Sequence, residues 1–263
     1  MTKKYNFPNV DDHLNGLLIQ DQDKCNYWMG PDSLENYEQS LKKMPIDWVW
    51  RSKEISYKVN SHGYRCDKDF NDIDWECSIA VFGCSNVFGV GVDVENTITG
   101  HIQRITNIPT INLGMPHSSV MRIWSLLTDF LNAGIKPKAI VTIWPDPSRV
   151  LEMMPNKRLK DWSAGNITSA EEHPLSFGWV THDYQGLGFA KRAINSAKVM
   201  CKDIPYFDYT WFTNPDIDLV NITLENHVDL ARDNIHPGIE TLHKWAEHVV
   251  FDMKVEKSFK NNV

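Results

Sequence analysis

The sequence predicts an α/β protein built on a parallel β-sheet with helices on both faces. Three observations carry that prediction. Short, largely apolar runs recur, as strands buried on both faces require. Segments with apolar residues at helical spacing lie between them. From residue 77 onward the two kinds alternate, which is the pattern of parallel β-α-β units.

The elements follow in chain order. Residues 1–75 are polar, rich in aromatics and broken by turn residues, with Trp28, Trp48, Trp50 and Trp75 set among Asp, Lys and Asn. They are expected to form an irregular N-terminal section that packs on the main body, with one helix around 33–43. No Gly/Ser or Pro run separates them from the rest, so 1–263 is expected to be a single domain. The first strand is expected at 78–82 (Ser-Ile-Ala-Val-Phe), ending at Gly83. A helix follows over 95–107, with Ile98, Ile102 and Ile105 on one face. Residues 109–113 read as the second strand, ending at Gly114. A helix over 118–132 carries Val120, Ile123, Trp124, Leu127, Phe130 and Leu131 on one stripe, closed by Gly134. The third strand is 138–144. Residues 151–182 hold Pro155, Gly165 and Pro174 and are expected to be an irregular surface excursion. A helix around 186–201, a strand around 204–211 and a last helix from Pro237 to about Met253 complete the order. Proline is tolerated in a first helical turn because its missing N–H has no intrahelical partner there.

Composition bounds the function. The chain has 263 residues, 42% of them hydrophobic and 23% charged, with a net charge of −7. These proportions argue against disorder and low complexity. The negative charge disfavours a general nucleic-acid binder, which presents a basic face. No apolar run approaches the roughly 20 residues of a membrane helix, and the N-terminus lacks the apolar stretch of a secretory signal. The chain is therefore expected to be cytoplasmic, with no nucleic-acid or membrane partner. Five cysteines, at 25, 66, 77, 84 and 201, form no Cys-x-x-Cys pair, and free, mostly buried thiols are expected.

In an open parallel sheet, ligands bind beyond the carboxyl ends of the strands. Three segments leave strands at that edge: 83–92, 112–117 and 144–149. Ser85 stands out, two residues past Gly83 and flanked by glycines that let backbone approach a ligand closely. A serine hydroxyl becomes a nucleophile when a base removes its proton, and that base is usually a histidine oriented by a carboxylate. Asp233 and His236 offer such a pair directly ahead of the last helix. With 22 Asp and 10 His, about one Asp-x-x-His match is expected by chance, so its weight comes from position alone. Read singly, Ser85 is a loop serine at a helix entrance, Asp233 a turn residue and His236 a surface histidine. The pair could also be a metal half-site, and Cys84 a thiol nucleophile. Trp144, Trp162 and Trp211 could stack on sugar rings or pack in the core. The third glycine of a dinucleotide fingerprint is replaced by Val94, there is no phosphate-binding loop, and Val87 breaks a Gly-x-Ser-x-Gly elbow.

Gly-Cys-Ser-x-x-x-Gly-x-Gly-Val at 83–92, Gly114 after the second strand, and Asp-x-x-His-Pro at 233–237 together resemble the SGNH (GDSL-type) hydrolase family. Asn60-Ser-His-Gly-Tyr-Arg65 also resembles a segment seen ahead of the first block. The likeness covers about 57–252. It implies a three-layer α/β/α sandwich with a flavodoxin-like parallel sheet, and ester hydrolysis through a triad with Ser85 as nucleophile, His236 as base and Asp233 as its orienter. It implies backbone N–H groups of Ser85 and Gly114 as oxyanion donors, and no metal or organic cofactor. Asn86 and Arg149 are further candidate substrate contacts. Two positions depart from the family pattern. Cys84 stands where an Asp is usual, and Asp146 stands where an Asn side chain is expected to donate to the oxyanion. An ionised Asp can only accept hydrogen bonds. The implied substrate is a small-molecule or carbohydrate ester. A weakly active or inactive binding module for glycan or protein is the competing expectation.

Overall fold

The computed structural model describes residues 27–153, 159–162, 183–211, 222–223 and 227–255. Helix α1 (Leu34–Lys43) lies where expected, its N-terminus closed by Ser33, whose hydroxyl accepts the Asn36 N–H at 3.2 Å. Strand β1 (Ile79–Gly83) leads into a single helical turn, α2 (Ser85–Phe88), and then into α3 (Ile98–Thr106). Strand β2 (Thr110–Gly114), helix α4 (Val120–Asn132) and strand β3 (Ala139–Trp144) follow within two residues of the expected bounds. Helix α3 starts later than its apolar spacing suggests. Residues 94–96 form a 3₁₀ turn, and Thr97 then caps α3 by accepting the Gly100 N–H.

After β3 the chain departs from expectation. Instead of an irregular excursion, β4 (Val150–Met153) and β5 (Leu159–Trp162) pair antiparallel. Residues 163–182 lie outside the described residues. Helix α5 (Asp183–Met200) and strand β6 (Tyr206–Thr210) restore the alternation, and β7 (Ile222–Thr223) adds a short edge. Helix α6 (Ile239–Val255) closes the fold. Pro237 is not in its first turn. It sits two residues earlier, in a bridge with Leu230, and the first helical hydrogen bond of α6 runs from Leu242 to Gly238.

The main sheet is wholly parallel, in the order β2-β1-β3-β6-β7. Numbered by the parallel strands alone, that is 2-1-3-4-5, the flavodoxin-like order. Alternate residues of β1 feed opposite cores: Ile79 and Val81 join α3 and α6, while Ala80 and Phe82 join α4 and α5. The chain is thus a three-layer α/β/α sandwich. The N-terminal section enters both cores, Trp50, Ile55 and Tyr57 on the α6 side and Tyr64, Phe70 and Trp75 on the α4 side. On the α4 side Phe130 meets Trp75 and Phe82 edge-on, with ring centroids 5.0 and 5.2 Å apart, a geometry aromatic quadrupoles favour.

From β1 the chain winds to β2 along one face and then crosses to β3 along the other. The connections diverge at β1, and open parallel sheets bind ligands at such a point, beyond the carboxyl ends of the strands. The loops after β1, β2 and β3 leave the sheet at that edge.

Candidate active site

Ser85 owes its position to glycines. A Cβ on Gly83 would lie 2.2 Å from Val87 Cγ2 and 3.1 Å from the Ile143 carbonyl, so only glycine lets α2 fold back tightly on the end of β1. The turn ends at Gly89, in the left-handed region at φ 83°, whose N–H returns to the Ser85 carbonyl at 2.9 Å. Buried Arg65 donates to the carbonyls of Phe88, Gly89 and Val92, and Asn112 Nδ2 donates to that of Val87 at 2.8 Å. Burial lowers the Arg65 guanidinium to about 10, still charged at neutral pH. Sequence reasoning missed both of these supports. The only signal was the segment around Arg65, noted for its resemblance and not for a role.

His236 comes from a tight loop. Ala231 N–H bonds the His236 carbonyl at 2.9 Å, and Gly238 N–H bonds that of Asp229 at 3.0 Å. The loop docks on Gly91, whose carbonyl accepts the Arg232 N–H at 3.0 Å. Gly91 is left-handed, φ 80°, and a Cβ there would lie 2.7 Å from Ala231 Cβ. Two chain segments about 150 residues apart therefore meet. His236 Nε2 lies 2.8 Å from Ser85 Oγ, and His236 Nδ1 lies 2.5 Å from Asp233 Oδ2. The partners assign the tautomer: Nδ1–H donates to the carboxylate, and Nε2 accepts from the hydroxyl. The other carboxylate oxygen of Asp233 accepts the N–H groups of Ile235 and His236, each at 3.0 Å.

Burial pushes the Asp233 carboxyl upward. Its hydrogen bond to the His236 ring, the charge that ring can carry and the two backbone donors together outweigh burial, and hold it below the ordinary carboxylate range. Ser85 and Asp233 are buried, while the His236 side chain keeps 12% of its surface open. Cys84 is buried, its sulfur 4.0 Å from Ser85 Oγ, and the imidazole faces the hydroxyl rather than the thiol.

Other expected site residues lie differently. Gly114 is placed beside α2, where a Cβ would lie 2.3 Å from the Phe88 nitrogen. Its N–H donates to Asn112 Oδ1 at 2.9 Å, so it does not present a free donor as expected. The Ser85 N–H, at the start of a helical turn, has no partner among the described residues. Asp146 Oδ1 accepts the Ser148 N–H at 2.8 Å, turning the loop after β3. The Arg149 N–H donates to the Asp146 carbonyl at 3.3 Å, while the Arg149 guanidinium turns elsewhere. Its Nη1 reaches the Ser118 carbonyl at 3.3 Å, and its guanidinium carbon lies 5.9 Å from the Trp211 ring centre. Asn86 is buried in the first turn of α2. Trp144 is fully buried and cannot stack on a sugar, Trp211 is half-buried, and the Trp162 side chain lies outside the described residues. The four described cysteines are free, as expected, with Cys84 and Cys201 buried, Cys66 half-buried and Cys77 exposed, and Cys25 lies outside the described residues. Among the described residues no helix is long and apolar enough to cross a membrane.

No protein-family model matches the chain, and no curated protein matches it. Solved structures similar to it include a member of the lipolytic protein G-D-S-L family from Veillonella parvula DSM 2008. That likeness has a TM-score of 0.39 and 11% identity, and covers 66% of this chain and 98% of that one. An acetyl xylan esterase from Butyrivibrio proteoclasticus is similar with a TM-score of 0.43 and 9% identity, covering 69% of this chain and 64% of that one. A family two carbohydrate esterase from Clostridium thermocellum, in complex with cellohexaose, gives 0.42, 10%, 69% and 64%. The chain thus spans less than two thirds of the length of each of the two esterases.

Proposed function

We propose that the chain is an SGNH-type serine hydrolase acting on ester bonds. The observation that carries this reading is the unbroken line Ser85 Oγ, His236 Nε2, His236 Nδ1, Asp233 Oδ2, with contacts of 2.8 and 2.5 Å. Neutral His236 takes the Ser85 proton as Oγ attacks the acyl carbonyl. Asp233, kept ionised, holds the ring in the working tautomer and stabilises the imidazolium that forms. The Ser85 N–H serves the tetrahedral oxyanion. His236 then protonates the leaving alcohol, and the Ser85 acyl ester forms as the tetrahedral intermediate collapses. Water, deprotonated by His236, attacks that ester and releases the acid, and the proton returns to Ser85.

Carbohydrate esters are the substrate class we propose to test first, on the resemblance of the sequence blocks. A specific observation favours a second reading, a catalytically weak or inactive binding module on the same fold. The Gly114 N–H is occupied by Asn112, and Asp146 stands where a donor is wanted. Losing one oxyanion donor costs about 10²–10³ in rate. Hydrolysis of p-nitrophenyl acetate separates the two. The first expects turnover by the wild type that falls to background in Ser85→Ala. Equal rates for both proteins, or none for either, favour the second.

A further inference from the structure

Deep under the His236 loop, the N-terminal section and the two site loops share one buried polar chain. Tyr57 lies at its centre. The Tyr57 hydroxyl accepts the Gly91 N–H at 2.8 Å and donates to Asp32 Oδ2. Asp32 in turn grips Arg232 with both carboxylate oxygens, Nε to Oδ1 at 2.8 Å and Nη2 to Oδ2 at 2.7 Å. Arg232 adjoins Asp233 in the chain, and its own N–H bonds the Gly91 carbonyl. A closed ring results: Gly91, Tyr57, Asp32, Arg232 and back to Gly91. Tyr57, Asp32 and Arg232 are all at least 95% buried.

Neighbouring contacts tighten the ring. The Arg232 guanidinium lies 4.1 Å from the Trp28 ring centre, and its Nη2 also donates to the Tyr27 carbonyl. Asn234, in the left-handed region at φ 57°, donates to Ser40 Oγ at 2.6 Å, and Trp50 Nε1 donates to the Leu230 carbonyl at 3.2 Å. The loop of 230–234 is thus held at three of its residues, Leu230, Arg232 and Asn234, by residues before 58. Burial, and then the charge of Asp32, raise the Tyr57 hydroxyl far above its ordinary value, so it remains a donor at every working pH.

We infer that Tyr57, Asp32 and Arg232 are positioning residues, a clamp built from the N-terminal section that sets where Asp233 and His236 stand relative to Ser85. Gly91 belongs to the segment that carries Ser85, and Arg232 to the segment that carries Asp233 and His236. A bidentate guanidinium–carboxylate pair resists rotation as well as separation. The ring therefore fixes the relative placement of the two segments in both respects. This inference rests on the proposed triad for its effect on rate, and stands apart from it as a statement about loop order.

Tyr57→Phe tests it. The ring keeps its packing on Phe88, centroids 6.1 Å apart, and on the Arg65 guanidinium at 4.7 Å, and only the hydroxyl is lost. We expect kcat for p-nitrophenyl acetate to fall about tenfold or more, as small misplacements of reacting groups do, with KM changed less than twofold. Fluorophosphonate labelling of Ser85 should slow in parallel. Arg232→Lys, which keeps the charge and loses the bidentate grip, should behave likewise, and Ile123→Val in the distant α4 core should lower the melting point without touching kcat. Hydrogen exchange of the Gly91 and Arg232 amides should rise in Tyr57→Phe, whether or not the protein hydrolyses esters. Unchanged exchange at both amides overturns the clamp. In an active wild type, a kcat within twofold for Tyr57→Phe overturns it too, as does an equal kcat loss in Ile123→Val. A wild type that never reacts, yet shows the exchange increase, counts against the proposed hydrolase and leaves the clamp standing.

Discussion

Asp233 is held ionised by its neighbours, and that gives the proposed triad its most direct chemical handle. The backbone donors of Ile235 and His236 and the imidazole outweigh its burial, so its folded pKa lies below the unfolded value of about 3.9. A carboxylate with a depressed pKa stabilises the fold above its unfolded pKa, and that contribution is lost as pH falls through the folded value. Asp233→Asn should remove this slope from acid unfolding curves measured below about pH 4. The same substitution keeps the shape of the side chain but offers the ring the wrong partner. A loss in kcat on the order of 10⁴-fold is expected. An esterase assay of Asp233→Asn showing nearly full rate would mean that Asp233 does not orient the base.

Between α3 and α6 two histidines meet. His101 is buried, with its Nδ1 3.3 Å from His243 Nδ1 and 3.2 Å from Arg104 Nη1. Burial first, then Arg104 and His243, lower it to about 4, against weaker pulls from Asp93 and the Ile239 backbone. Unfolded histidine titrates near 6.5. Below that pH the unfolded chain binds a proton the folded one refuses, so stability falls as pH drops from about 6.5 to about 4. The loss amounts to about 3 kcal/mol at most. Urea unfolding across this range should show the decline in the wild type and a flatter profile in His101→Gln. A second test lies at the meeting of α2 and β2. Gly114→Ala puts a methyl 2.3 Å from the Phe88 nitrogen, which is backbone and cannot swing aside. Denaturant midpoints should report a loss of about 1–3 kcal/mol. An unaffected midpoint would show that α2 does not press on β2.

At the scale of the whole molecule, both cores draw on the N-terminal section, which therefore should not melt separately. Calorimetry should find one transition whose van't Hoff and calorimetric enthalpies agree, and two resolved transitions would contradict a single domain. The sheet was legible in the sequence because β1, β2 and β3 are buried along nearly their whole length and read as short, largely apolar runs between turn residues. Helices α3 and α4 were legible because each hides one face. The hairpin β4–β5 was not, since Leu159-Lys-Asp-Trp162 carries no apolar run and pairs outside the main sheet. Ser85, Asp233 and His236 could be picked out by position relative to those elements. The commitment of the Gly114 N–H could not, because it turns on a local bond between Asn112 and Gly114 that leaves no periodicity. The clamp was hidden for a related reason: Asp32 and Arg232 are 200 residues apart, and a buried ion pair looks in sequence like two surface charges.

The proposed chemistry depends on Ser85 being an activated hydroxyl. Treating the folded wild type with a fluorophosphonate and mapping the adduct by peptide mass spectrometry reads that property alone, whatever the natural substrate is. One phosphonyl group on Ser85 is predicted, absent from Ser85→Ala and strongly slowed in His236→Ala. A wild type that stays unmodified, or carries the group elsewhere while Ser85 is untouched, would contradict it.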